Sequence, residues 1–307
     1  LSRQAHAFRL KPGIYKTGDL PKDADNYGYE LWFEAKARGH SRRRTIDIAA
    51  HFQIHCGGDA VLLIFSFEHG SWREALRWQS APYAAIDGAF DTLDFAVSPA
   101  DRLGGWYVVA TDIPPWCTSF WSKIRYAMLR PVPGTPTPGV IFSDSAPIYW
   151  GNEDYGTLTV RRNEFDLRFH GPSIDPVVHN RVWNRRYRVA GDSVRRIPPF
   201  ALSPRDFVDE WAVSPWEQAV QWSSPGIAAL KAIHRKLRDG HPFEYVSARK
   251  CSGLPLRYQV EMGQADDHVR YYFQLAAGPP QYRMAAIMEE PAAACNGRNI
   301  LNSMTTR

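Results

Sequence analysis

Residues 75–97 read ALRWQSAPYAAIDGAFDTLDFAV, and residues 140–160 read VIFSDSAPIYWGNEDYGTLTV. Ser80, Ala81 and Pro82 recur as Ser145, Ala146 and Pro147, Thr92–Leu93 recurs as Thr157–Leu158, and Phe90 is matched by Tyr155. All of these pairs lie 65 residues apart. A shared offset in a chain that is not of low complexity reads as an internal structural repeat. A second echo supports it: Trp121-x-x-x-Arg125-Tyr126 returns as Trp183-x-x-Arg186-Tyr187, shifted by one residue.

Working outward, the segments around the repeat carry strand signals. Thr45–His55 alternates, with Ile46, Ile48, Ala50, Phe52 and Ile54 on one face and Asp47, His51, Gln53 and His55 on the other. That period of two is expected to give a strand buried on one side. Ala60–Glu68 is nearly continuously apolar and reads as a central strand. Strands are also expected over Tyr29–Ala37, Trp72–Gln79, Leu93–Val97, Trp106–Thr111, Lys123–Arg130, Val140–Phe142, Leu158–Val160, Phe165–His170, Val182–Val189 and Ser193–Ile197. Residues 1–200 therefore read as a β-repeat domain. Its four-stranded antiparallel units cover about 29–79, 76–139 and 140–199, arranged as in a propeller or a sandwich.

Residues 201–223 read as a helical linker. Ser203 is placed to cap a helix opened by Pro204, and Ser214-Pro215-Trp216-Glu217 has the form of a capping box. Residues 224–307 read as a small α+β domain. One helix begins after Ser224-Pro225 and buries Ile227, Leu230, Ile233 and Leu237, before strands at Phe243–Lys250, Leu256–Met262, Val269–Ala276 and Tyr282–Met288. The fold class is mainly β.

With 307 residues, 44 % of them hydrophobic, the chain can bury a sizeable core. It has 11 Trp, 14 Tyr and 15 Phe, enough to fill that core and leave aromatic surface for a flat ligand. The net charge of +5 comes almost wholly from arginine. No apolar run is long enough to span a membrane as a helix. The chain starts at Leu1 with no leader-like segment, so any signal peptide is expected to have been removed already.

Of the four cysteines, none lies in a C-x-x-C pair, which argues against a zinc ribbon. The expected pairs are Cys56–Cys117 and Cys251–Cys295, each closing a loop worth roughly 4 kcal/mol of chain entropy. Pairing the latter requires Glu289–Ala294 to run back along or beneath its sheet. Disulfides imply an oxidising compartment, periplasmic or extracellular.

The motifs of common hydrolases, nucleotide binders and metalloproteases are missing. No cofactor or metal is expected; His51 and His55 share a strand face but sit about 13 Å apart, too far for one ion. The ligand-binding candidates lie in three places. Asp112, Trp116 and Trp121 belong to an aromatic loop anchored by Cys117. Trp150, Glu153 and Asp154 form the loop inside the repeat, where the first copy lacks the carboxylates. Arg125 and Arg186 recur in the second echo, and Arg186 belongs to a series, Arg161 to Arg196, that could form one basic face.

The expected function is non-enzymatic: a secreted or periplasmic binding or scaffold protein for carbohydrate or an anionic polymer, not nucleic acid. The alternative is a carbohydrate-active hydrolase with dispersed carboxylates. A cleft with two carboxylates facing across it would favour the enzyme, and a flat aromatic or basic face would favour binding.

Overall fold

The computed structural model describes residues 13–16, 29–40, 43–54, 57–79, 92–113, 121–149, 156–176, 180–224, 227–238, 243–253, 255–264, 269–276 and 281–301. Alternating and apolar runs separated by tight turns give strands that pair with their sequence neighbours, so every sheet is an antiparallel meander. The first contains β1 (Gly13–Lys16), β2 (Tyr29–His40), β3 (Arg43–Ile54), β4 (Gly57–Glu68) and β5 (Ser71–Gln79). The second contains β6 (Thr92–Val97), β7 (Val108–Ile113), β8 (Trp121–Val132) and β9 (Thr135–Tyr149). The third contains β10 (Thr157–Val160), β11 (Glu164–Pro172), β12 (Asn180–Ala190) and β13 (Ser193–Arg196).

Helices α1 (Pro204–Val213), α2 (Trp216–Ala219) and α3 (Ile227–Arg238) follow, with a short 3₁₀ turn at Val220–Trp222. The last sheet is β14 (Phe243–Lys250), β15 (Arg257–Gln264), β16 (Arg270–Ala276) and β17 (Arg283–Met288). The protein is mainly β, and among the described residues no sheet closes into a barrel.

Chain contacts divide it into two units. One comprises residues 1–153, 158–165 and 189–194, the other 154–157, 166–188 and 195–307.

Thr92 and Thr157 each open the first strand of a four-stranded meander, and Trp121 and Trp183 each lie on the third strand. Ser145-Ala146-Pro147 lies inside β9, where Pro147 is opposite Lys123. β9 is an edge strand, so a residue without an N–H costs no ladder bond on its outer side. Ser80-Ala81-Pro82 lies outside the described residues.

The half-buried reading of Thr45–His55 is corrected at Asp47, which is 1 % exposed. β3 is a central strand, and Asp47 is opposite Ile64 on the face whose neighbours Ala49, Leu62, Ile64 and Leu76 pack with Trp106, Val108, Ala110 and Leu129. Asp47 and Ile48, neighbours that point to opposite faces of the strand, are both buried, which a period-two pattern in one strand cannot reveal.

In the other unit the core forms between helices and sheet. Phe207, Val208 and Trp211 of α1 and Leu230 and Leu237 of α3 pack on Tyr245, Val260, Met262, Phe273, Leu275 and Met284. Thus α1 joins α3 in covering the sheet. Ser203 caps α1 as its sequence predicts, its Oγ accepting from Asp206 N at 3.0 Å. Ser214 does not cap α2, whose N-cap is Pro215 with no side-chain bond. It terminates α1 instead, its N–H reaching Glu210 O, because only two residues separate the two helices and one end must use the shared serine.

Cys251 and Cys295 are joined, with Sγ atoms 2.00 Å apart. As that pairing requires, the segment after β17 runs back across the sheet. Gln259 Oε1 accepts from both Gln274 Nε2 and Ala292 N, at 2.6 and 2.9 Å. The chain then reaches β14, where Ala248 N donates to Asn299 Oδ1 and Ile300 N to Ala248 O, at 3.0 and 2.8 Å. Cys56 and Cys117 lie outside the described residues.

Candidate functional site

Strand register assembles part of the predicted site. Asp112 is opposite Arg125 on β7 and β8, and Trp121 is opposite Tyr149 on β8 and β9. Opposed residues of an antiparallel pair point to the same face, and so do alternate residues of a strand. Trp121, Lys123, Arg125, Asp112 and Tyr149 therefore share one surface. Toward its other end this surface becomes apolar at Ala127, Ala110, Leu129 and Val108, which pack on the first sheet.

Arg125 Nε donates to Asp112 Oδ2 at 2.6 Å, with the carboxylate side chain 7 % exposed and the arginine 31 %. Burial pushes the Asp112 carboxyl up to about 6, and the neighbouring guanidinium offsets only part of that rise. Asp112 is thus an anchor beneath the surface that orients Arg125 at it. Trp121 is 39 % exposed and meets Tyr149 edge to face, with ring centroids 5.0 Å apart. Such a pair fixes the tilt of the indole.

Asp112 is the lone carboxylate on this face of the sheet among the described residues. Asp144 lies opposite Tyr126 on the reverse face and accepts from Tyr126 Oη at 2.7 Å. Asp94, opposite Thr111, also belongs to the reverse face.

The arginine series has a different outcome. Arg181 is fully buried, its Nε donating to Asp209 Oδ1 and a terminal nitrogen to Glu210 Oε2, each at 2.8 Å. Arg185 and Arg196 both reach Glu210 Oε1, at 2.5 and 2.8 Å. Arg181 and Arg185 also lie over the Trp183 ring, 4.5 and 4.4 Å from its centroid. Asp209 further accepts from Ser173 Oγ at 2.5 Å and Tyr245 Oη at 3.1 Å. Burial pushes the Glu210 carboxyl up, but the combined pull of Arg185, Arg196 and Arg181 outweighs it and holds the group well below the usual carboxylate range.

At least three of the nine arginines read as a basic face are therefore internal counter-ions. Arg186 lies on β12 in the same unit, half-buried, with its backbone O accepting from Ile197 N at 2.8 Å. It alternates with Arg185 and points to the other face of the strand.

Trp116, Trp150, Glu153 and Asp154 lie outside the described residues. Sequence reasoning missed Tyr149 and Lys123, which only register places beside Trp121 and Arg125. It also missed the acidic partners of the arginines. The available signal was Asp209-Glu210 in a helix otherwise rich in core residues, since buried carboxylates require cations.

Among the described residues there is no group of His, Cys, Asp and Glu able to hold a metal ion, and no helix is long and apolar enough to cross a membrane. Comparison with protein-family models, with curated proteins and with solved structures gave no match in any of the three.

Proposed function

We propose that this protein is a non-enzymatic binding protein of a periplasmic or extracellular space, taking carbohydrate on the Trp121–Tyr149 face. The observation that carries the reading is the exposed, tilted indole of Trp121 on the same strand surface as the anchored Arg125. The C–H face of a pyranose stacks on an aromatic ring, and a guanidinium donates to ring and hydroxyl oxygens in a fixed fork. Asp112 holds that fork in place and, being sunk below the surface, is not offered to a glycosidic bond. Cleavage needs two carboxylates about 5–9 Å apart across the bond. That Asp112 is the lone carboxylate on this face among the described residues supports binding over hydrolysis.

The Cys251–Cys295 bond supports an oxidising location. The matching strand positions of the repeated residues support a duplicated sheet as the scaffold of the site. The inward arginines count against an anionic polymer as the principal ligand.

A glycan array tests this, comparing wild type with Trp121→Ala. Wild type is expected to retain neutral glycans and the variant to lose about tenfold in affinity, with an unchanged melting temperature because Trp121 stands outside the core. Equal binding by both proteins, or release of shortened glycan by wild type, overturns the reading.

A further inference from the structure

The apolar band beyond Ala110 and Ala127 ends at a cavity of about 500 Å³, within the size range of small-molecule sites. One wall is the β4–β5 hairpin, with Ser66, Glu68, Arg73 and Glu74; the other is Trp106 with the β8–β9 hairpin, Arg130 to Pro136. All of these residues belong to one unit. The cavity lies at the opposite end of β7 and β8 from Asp112 and Arg125, since Val108 pairs with Leu129 there.

Its polar groups differ in how far they are already committed. Glu74 is occupied by Arg77, whose Nε and a terminal nitrogen reach its two oxygens at 2.6 and 3.0 Å. Ser66, buried, donates its hydroxyl to Glu68 Oε1 at 2.8 Å and so fixes that carboxylate in orientation. Arg130 is held at the rim by Gly191 O at 2.7 Å, with Asp192 3.5 Å away. Arg73 is exposed on β5, opposite Ser66, and has no carboxylate within ion-pairing distance among the described residues.

A guanidinium with no internal counter-ion takes a carboxylate or similar anion. A fixed carboxylate accepts hydroxyl hydrogens. Trp106, 8 % exposed, lines the cavity, and Pro131, Pro133 and Pro136 add apolar wall.

We infer that this cavity is a second binding site, taking an acidic sugar residue of the uronate class. The sugar's carboxylate meets Arg73, a hydroxyl meets Glu68 and the ring lies against Trp106. This site is independent of the Trp121 face and does not rest on it.

Isothermal titration with D-galacturonate, D-glucuronate, D-galactose and D-gluconate tests the assignment on the full chain. Either uronate is expected to bind at least ~10-fold more tightly than galactose, which lacks the carboxylate, and than gluconate, which has the carboxylate but no ring. Arg73→Gln is expected to abolish the preference over galactose, and Arg73→Lys to restore part of it. Because Arg73 is exposed and makes no ion pair among the described residues, both variants keep the wild-type melting temperature, so loss of binding is not loss of fold. Glu68→Gln is expected to weaken both uronates and galactose. Equal affinity for uronate and galactose, no uronate binding at all, or unaltered uronate binding by Arg73→Gln overturns the assignment. Gluconate binding as tightly as the uronates would show that the site reads only the anion and would overturn the sugar class.

Discussion

At Asp112, folding changes the affinity of a carboxylate for its proton. Its folded value of about 6 lies above the ~3.9 of an unfolded aspartate, so the native state holds the proton more tightly. Asp112 therefore adds stability at acid pH, and that increment is lost as pH rises from about 4 through about 6. Chemical denaturation of wild type and Asp112→Asn across this range is expected to give a stability difference that falls by roughly 2–3 kcal/mol with rising pH. A flat difference curve would place the carboxyl in an ordinary environment.

Glu210 has the opposite sign. Held low by three arginines, it contributes stability at neutral pH that is lost as pH falls below about 4. Glu210→Gln leaves Arg181 buried with its charge poorly matched and is expected to cost about 3–5 kcal/mol at pH 7. Urea unfolding with an unchanged slope reads that loss, and a cost below about 1 kcal/mol would mean the network relaxes around the amide.

At the scale of elements, the segment after β17 is a strap across the last sheet. It covers Gln259 and Gln274 and supplies hydrogen bonds to the free edge of β14, limiting pairing by another chain. Gly297 passes so close that an added Cβ would sit 2.5 Å from Lys250 O, so no larger residue fits without moving the strap. The disulfide closes a loop spanning 44 residues, and the Cys251→Ser, Cys295→Ser double variant is expected to lose about 4 kcal/mol by chain entropy. Hydrogen exchange should then rise first at Ala248 and Ile300, whose amides the strap protects. Loss spread evenly over all sheets would argue against a local clamp. Much of this element was legible: the cysteine positions required a returning segment, and the strand limits of the last sheet follow from alternation. The face on which the segment returns was not legible, because it depends on which side the helices occupy.

At the scale of the whole molecule, the net charge of +5 is a poor guide to what binds. Several arginines that produce it are spent on Asp209 and Glu210, and a buried charge steers nothing in solution. Neutral-glycan binding is accordingly expected to change little between about 0.05 and 0.5 M salt, a range over which screening removes most surface electrostatics. Surface plasmon resonance on an immobilised neutral glycan checks this, and a steep decline with salt would return the basic-surface reading to contention.

The sequence by itself determined the class of fold, the helix cap at Ser203 and the Cys251–Cys295 pair, because each depends on local periodicity or spacing. It also selected Asp112, Trp121 and Arg125. Only the tertiary structure decided that these three share a face, that Asp47 is buried and that Arg181, Arg185 and Arg196 turn inward. Strand alternation assigns a side chain to one of two sides, but which side meets protein and which meets water depends on the neighbouring sheet. Of the matched residues, Thr92 and Thr157 each open a strand. The chemistry lies on the surfaces that packing leaves open.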